Sequence, residues 1–222
     1  MGQGSGKDGR GDMAAVHPEV KAYHHGQLRA GLLAAAFDMV RRDGLDRFSL
    51  RAVAKRVGVS QAAPAHHFGS ARGLLTELAV MGYGILRQRL QAVDATLGGR
   101  ARLRALAGAY VGFAIDEPGI YQLMFRRDLI DRDNARYKTA SFDAIGVLGS
   151  ALAEETGMAV APDAGLAALA PFLDVFSMLH GLAMLAIEAK FDGLLTEEDR
   201  ADFSGRVVPV ILNARWPMPE GG

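Results

Sequence analysis

Two adjacent histidine pairs, His24-His25 and His66-His67, and a lone histidine in an apolar stretch, His180, are the residues of this 222-residue chain whose chemistry stands out first. Adjacent residues on a helix point about 100° apart, and neither pair has a third ligand at suitable spacing, so neither fits a zinc site. The chain has no cysteine, which removes disulfides, thiolate metal sites and cysteine nucleophiles together. The GSGK fragment at residues 4–7 lacks the spacing of a phosphate loop, since Lys7 is followed by Asp8 and no strand precedes it. Ser141, Asp143 and His180 have no spacing that would join them as a triad. No enzyme chemistry, cofactor or metal is expected.

A different chemistry suits RAVAKRVGVSQAAPAHHF, residues 51–68. Arg51, Lys55 and Arg56 recur at helical spacing while Val53 and Val57 take the opposite face, an arrangement that meets polyphosphate on one side and a core on the other. Ser49 stands where a helix would be capped, and Gly58 where a tight turn would follow. Ser60 is placed to cap a second helix carrying Gln61, Ala62, His66 and His67. A glutamine pairs bidentately with adenine, an alanine packs on a thymine methyl group, and histidines donate to phosphate. Pro64 falls inside that second helix, and a distortion is expected there.

The charge distribution agrees. Residues 21–75 hold nine Lys and Arg against three Asp, a net +6, whereas residues 76–222 hold 14 basic against 19 acidic residues, a net −5. A basic segment attached to an acidic body suggests a polyanion-binding module joined to something else.

The elements that must hold these residues are all helical. Leu28, Leu32, Leu33, Ala36, Phe37 and Val40 give a first helix closed by Gly44. Helices follow over 50–57 and from Ser60 to about His66, then Leu74–Leu97, Arg100–Ile115, Ile120–Phe125, and residues 134–156, 163–190 and 196–213. No alternating strand pattern occurs, so the expected fold is all-α with about nine helices. Residues 1–20 read as a disordered tail, 21–75 as a three-helix DNA-binding head with a helix-turn-helix, and 76–222 as a larger ligand-binding and dimerisation body. No signal-peptide pattern and no run of 18 uninterrupted apolar residues is present, and a cytoplasmic protein without a membrane partner is expected.

Residues 24–80, HHGQLRAGLLAAAFDMVRRDGLDRFSLRAVAKRVGVSQAAPAHHFGSARGLLTELAV, resemble the DNA-binding domain of TetR-type bacterial transcriptional regulators. EPGIYQLMF (117–125) and FSMLHGLAML (176–185) resemble ligand-domain signatures of one branch of that family, with Phe176 where the branch carries tryptophan. The resemblance implies a homodimer on a double-stranded DNA operator, controlled by a small-molecule effector. Two positions depart from the family pattern: Ala65 and Ala71 stand where it usually has a tyrosine and a lysine on the DNA backbone, so those contacts are expected to be lost, with Arg72, one residue on, the expected substitute for the second. The expected DNA-binding set is Ser49, Arg51, Lys55, Ser60, Gln61, Ala62, His66, His67 and Arg72.

The body carries Tyr110, Phe113, Tyr121, Met124, Phe125, Phe142, Phe176, His180 and Met184, adaptable apolar groups with one polar residue at helical spacing. These are the expected effector-lining residues. The apolar runs LAALAPFL and VVPVIL in the last two helices place a four-helix dimer interface there.

Overall fold

A computed structural model describes residues 18–157 and 165–217, with the side chains of residues 18–25 outside the described set. All regular structure among these residues is helical: α1 Pro18–Asp43, α2 Leu50–Val57, α3 Ala63–Phe68, α4 Ala71–Gln91, α5 Gly99–Asp116, α6 Pro118–Phe125, α7 Ala135–Thr156, α8 Leu166–Ile187, α9 Glu197–Ala201 and α10 Val208–Arg215. A single 3-10 turn, Leu45–Arg47, joins α1 to α2, and a π turn, Phe203–Val207, runs into α10. The expected tail lies outside the described residues except for 18–20, which open α1; GSGK and the side chains of His24 and His25 are also outside.

The head forms because α1 and the two short helices after it pack into one apolar seam. Leu32, Ala36, Met39 and Val40 on α1 and Val53 on α2 are buried, and the seam runs into Leu74 and Leu78 of α4. Ser49 caps α2, its Oγ accepting from the Ala52 N–H at 3.2 Å. Gly58 ends α2 in the left-handed conformation (φ 75°, ψ 32°), donating its N–H to the carbonyls of Ala54 and Lys55.

The second helix of the motif differs from the sequence expectation. It begins at Ala63 with Ala62 at its N-cap, and Ser60 makes no side-chain cap; the Ser60 carbonyl instead accepts from the Ala63 N–H at 3.0 Å in a preceding turn. Pro64 therefore sits in the first turn, where a missing N–H has no helical acceptor to disappoint. The expected distortion is absent for that reason. The helix continues to Phe68 rather than His66, and Gly69 follows.

Helix α4 leaves the head and becomes the spine of the body, with α7 packed along it and α5 and α6 against its other sides. Its Ser70 cap accepts from the Gly73 N–H at 3.1 Å. The body core is the buried face of α5 (Leu103, Leu106, Tyr110, Val111, Phe113) closed by α6, α7 and α8. At the far end Arg104 donates to Asn213 Oδ1 (2.9 Å) and to the Trp216 carbonyl (2.7 Å), fastening the chain's last described residues to α5.

The expected helix over 196–213 is not continuous. Asp202 caps the π turn by accepting from the Gly205 N–H at 3.0 Å, and Pro209 then lies in the first turn of α10. Helix α8 has the length and composition to cross a membrane (mean hydropathy 1.6 over its most apolar window), yet it packs on α5 and its Asp174 pairs with Arg215 of α10. Leu166, Leu173 and Leu185 of α8 and Val210 of α10 remain exposed, an apolar surface that the described residues do not cover.

Candidate functional site

The candidate nucleic-acid interface is built on the turn between α2 and α3. Arg51, Lys55 and Arg56 are exposed on α2, while Val53 and Ala54 are buried beneath them. Ser60, Gln61 and Ala62 are exposed in the turn, and Ala65 and His66 on α3; His67 is half-buried. The His66 and His67 rings meet edge to face at 5.6 Å. Gln61 thus lies in the turn before α3 rather than on a helix.

Arg72 makes contacts within the chain. Its Nη2 donates to the carbonyls of Ile130 (2.8 Å) and Arg127 (3.3 Å), holding the α6–α7 loop to the first turn of α4. One turn on, Thr76 Oγ1 accepts from the Asp131 N–H at 2.9 Å and donates to the Arg72 carbonyl at 2.7 Å. Arg72 is a fastener between head and body. Both bonds are made by Nη2, and the residue itself is exposed.

The head is tied to the body at two further seams. Glu77 of α4 receives Arg29 of α1 (3.1 Å) and Arg136 of α7 (2.6 Å), and the Arg29 guanidinium lies 4.8 Å above the ring of Phe68, the last residue of α3. At the other seam α6 meets α1: a side chain at Gly119 would strike the Val40 carbonyl, and Glu117 lies 3.6 Å from Arg41. On its second face α6 presses on α4, where a Cβ at Gly82 would stand 2.7 Å from Ile120 and 2.8 Å from the Met124 sulfur.

The third face of α6 carries Tyr121 into an aromatic cluster, the candidate effector site. Tyr110, Phe113, Tyr121 and Met124 are fully buried; Phe125, Phe176, His180 and Met184 are half-buried. Tyr110 and Tyr121 join their hydroxyls at 2.9 Å, and Tyr121 Oη lies 2.7 Å from His180 Nδ1. Phe172, Phe176 and His180 stack along one edge of α8 at four-residue intervals, with ring centroids 5.6 and 6.0 Å apart. Phe125 meets the His180 ring edge to face at 4.4 Å. Burial holds the hydroxyl pKa of Tyr121 well above its ordinary value, and desolvation lowers that of His180, so the cluster is neutral near pH 7.

Phe142 does not join this cluster: it is 62% exposed on α7, because α7 turns its Ala144 and Leu148 inward instead. Two cavities lie outside the aromatic cluster. One, of about 420 Å³, runs between α4 and α7 beside Val80, Gly84 and Ala140. The other, of about 230 Å³, lies between the α5–α6 corner and the segment after α8, beside Ile115, Phe191 and Phe203. Sequence reasoning did not single out Arg29, Glu77, Thr76 or Gly119, whose roles depend on which helices meet. Gly82 gave a signal, since a glycine inside a long helix marks a close approach.

Residues 32–78 match the family of "Bacterial regulatory proteins, tetR family", and residues 103–208 match "Tetracyclin repressor-like, C-terminal domain". A solved structure of a protein of unknown function from Rhodococcus sp. RHA1 is 33% identical, covering 87% of this chain and 96% of that one, with a TM-score of 0.67. The uncharacterised HTH-type transcriptional regulator YobS of Bacillus subtilis (strain 168) is 28% identical over 165 residues, 74% of this chain and 80% of that protein. The TetR family transcriptional regulator PfmR from Thermus thermophilus shares the fold, with a TM-score of 0.58 at 18% identity over 85% of this chain and 98% of that one.

Proposed function

The chain belongs to the TetR family of bacterial regulatory proteins, and from that membership we propose that it is a repressor released from a near-palindromic operator by a small apolar molecule. The observation that carries this reading is the position of α6. One short helix touches α1 at Gly119, α4 at Gly82 and the aromatic cluster through Tyr121. A ligand that displaces Tyr121 moves a rigid eight-residue helix, and the close glycine contacts transmit the displacement to both head-bearing helices. DNA affinity then falls by the difference in ligand affinity between the two states.

On the head, Arg51 and Lys55 supply phosphate attraction with Ser49 and Ser60, while Gln61 and Ala62 read base edges and His66 and His67 donate to the backbone. The exposed leucines of α8 and Val210 of α10 support a homodimer through these last helices. Two heads one helical turn apart would read the two half-sites, in the cytoplasm where the operator lies.

Titrating the protein against the DNA upstream of its own gene at two salt concentrations tests the reading. Specific binding that weakens steeply with salt is expected. The Arg51→Ala, Gln61→Ala double variant should lose specificity and affinity, and unchanged operator binding by it refutes this docking. A second reading, a ligand-binding helical protein with weakened DNA recognition, draws support from the exposed Ala65 and Ala71 and from the carbonyls that occupy Arg72. No binding tighter than micromolar at low salt would select it.

A further inference from the structure

The direction of the hydrogen bonds in the Tyr110–Tyr121–His180 chain is fixed by burial. Tyr110 is 1% exposed, and among the described residues its hydroxyl has one hydrogen-bond partner, the Tyr121 hydroxyl. If His180 Nδ1 carried the proton it would donate to Tyr121, and one of the two buried hydroxyls, Tyr110 or Tyr121, would be left with its O–H without an acceptor in the chain. The opposite polarity satisfies every group: Tyr110 donates to Tyr121, Tyr121 donates to Nδ1, and the imidazole proton resides on Nε2. An imidazolium fails in the same way as the first arrangement, because its Nδ1–H would again push the chain backwards.

Nε2 is then an N–H donor on the half-buried face of α8, with no hydrogen-bond partner among the described residues. The rings around it, those of Tyr121, Phe125 and Phe176, carry no formal charge. The cation stacked on this cluster, Arg89 at 5.7 Å from the Phe113 ring centre, is paired with Asp116. Among the described residues at this cluster, no free charge stands ready to neutralise a carboxylate or an ammonium, which desolvation would penalise.

We infer that the effector is an uncharged aromatic molecule bearing a hydrogen-bond acceptor such as a ketone, bound with that acceptor on the His180 Nε2–H and its rings against Phe125, Phe172 and Phe176. The inference rests on the effector reading of the aromatic cluster given above, and it narrows that reading from "small and apolar" to a neutral acceptor.

The test has two arms, both on the full-length protein. The first is ligand-free: with ¹⁵N-histidine labelling, long-range ¹H–¹⁵N correlations identify the tautomer, and His180→Phe assigns the signals. The Nε2–H form is expected in the wild type, and a tautomer mixture in Tyr121→Phe; an Nδ1–H wild type overturns the inference. The second arm compares four probes of one shape by thermal shift and calorimetry: 9-fluorenone, fluorene, 9-fluorenol and fluorene-9-carboxylate. Fluorenone should bind about tenfold more tightly than fluorene, the order of one hydrogen bond. His180→Phe should erase that preference while fluorene binding persists. Equal binding of fluorenone and fluorene, or preference for the carboxylate, overturns the donor assignment. Absence of a shift with all four, with the Nε2–H form in place, removes the ligand role and leaves a structural hydrogen-bond chain. That outcome is a failure of the effector reading itself, distinct from failure of the tautomer.

Discussion

Replacing Arg72 by alanine separates two roles that the same residue could play at the start of α4. As a fastener, its Nη2 donates to the Ile130 carbonyl at 2.8 Å in a partly buried setting and to the Arg127 carbonyl at 3.3 Å in an exposed one. A hydrogen bond from a charged group contributes about 1.5–3 kcal/mol, and the longer, solvated bond adds little. After discounting for exposure of the guanidinium, Arg72→Ala should cost about 1–2 kcal/mol. For a chain of this size that lowers Tm by about 2–8 °C. The side chain lies on two carbonyls, so the salt dependence of DNA binding should not change. As a phosphate contact the residue predicts the reverse pattern. Stability would hold, and the slope of log affinity against log salt would fall by about 0.9 per protomer, about 1.8 in a dimer. Differential scanning calorimetry and operator titrations at four salt concentrations read both quantities on the same preparation. A flattened slope with unchanged Tm would refute the fastener. Thr76→Val provides an internal check, since it removes the acceptor of the Asp131 N–H and should weaken the same loop without touching any charge.

Other outcomes follow from individual contacts. Ser49→Ala removes the Ala52 cap and should destabilise the head by about 1 kcal/mol, whereas Ser60→Ala removes no cap and should leave stability within about half a kcal/mol of the wild type; thermal unfolding of both variants compares them. Gly82→Val drives a side chain into Ile120 and Met124 and should cost about 1–3 kcal/mol by overpacking, with weaker operator binding because α6 is pushed off α4; wild-type affinity in a folded variant would show that α6 does not govern the heads. Desolvation lowers the His180 pKa below its ordinary 6.5, so the fold favours the neutral ring. The resulting contribution is complete above the unfolded pKa and is lost as pH falls through the folded value; between pH 7 and pH 5 the wild type should lose more Tm than His180→Phe does. Parallel declines would count against a buried neutral imidazole.

What could be read from the chain itself was whatever depends on near neighbours. The i, i+4 spacing of Leu32, Ala36 and Val40, the Ser49 cap and the left-handed Gly58 are decided within one or two turns, and each stands where the spacing put it. The same locality made Tyr121 and His180 recognisable as members of an apolar helix face, though not as partners 59 residues apart. Two local readings failed for a local reason. The spacing places the N-cap of α3 at Ser60, whereas it lies two residues later at Ala62, and that shift changes an interior proline into a first-turn proline. Tertiary structure alone decided the rest. Whether Arg72 meets phosphate or carbonyl depends on a loop more than fifty residues away; whether Phe142 faces core or solvent depends on which side α7 turns to α4. Short-range periodicity fixes which face of a helix is apolar, but the neighbour that covers that face is chosen by packing across the whole chain, and with it the work each polar side chain is left to do.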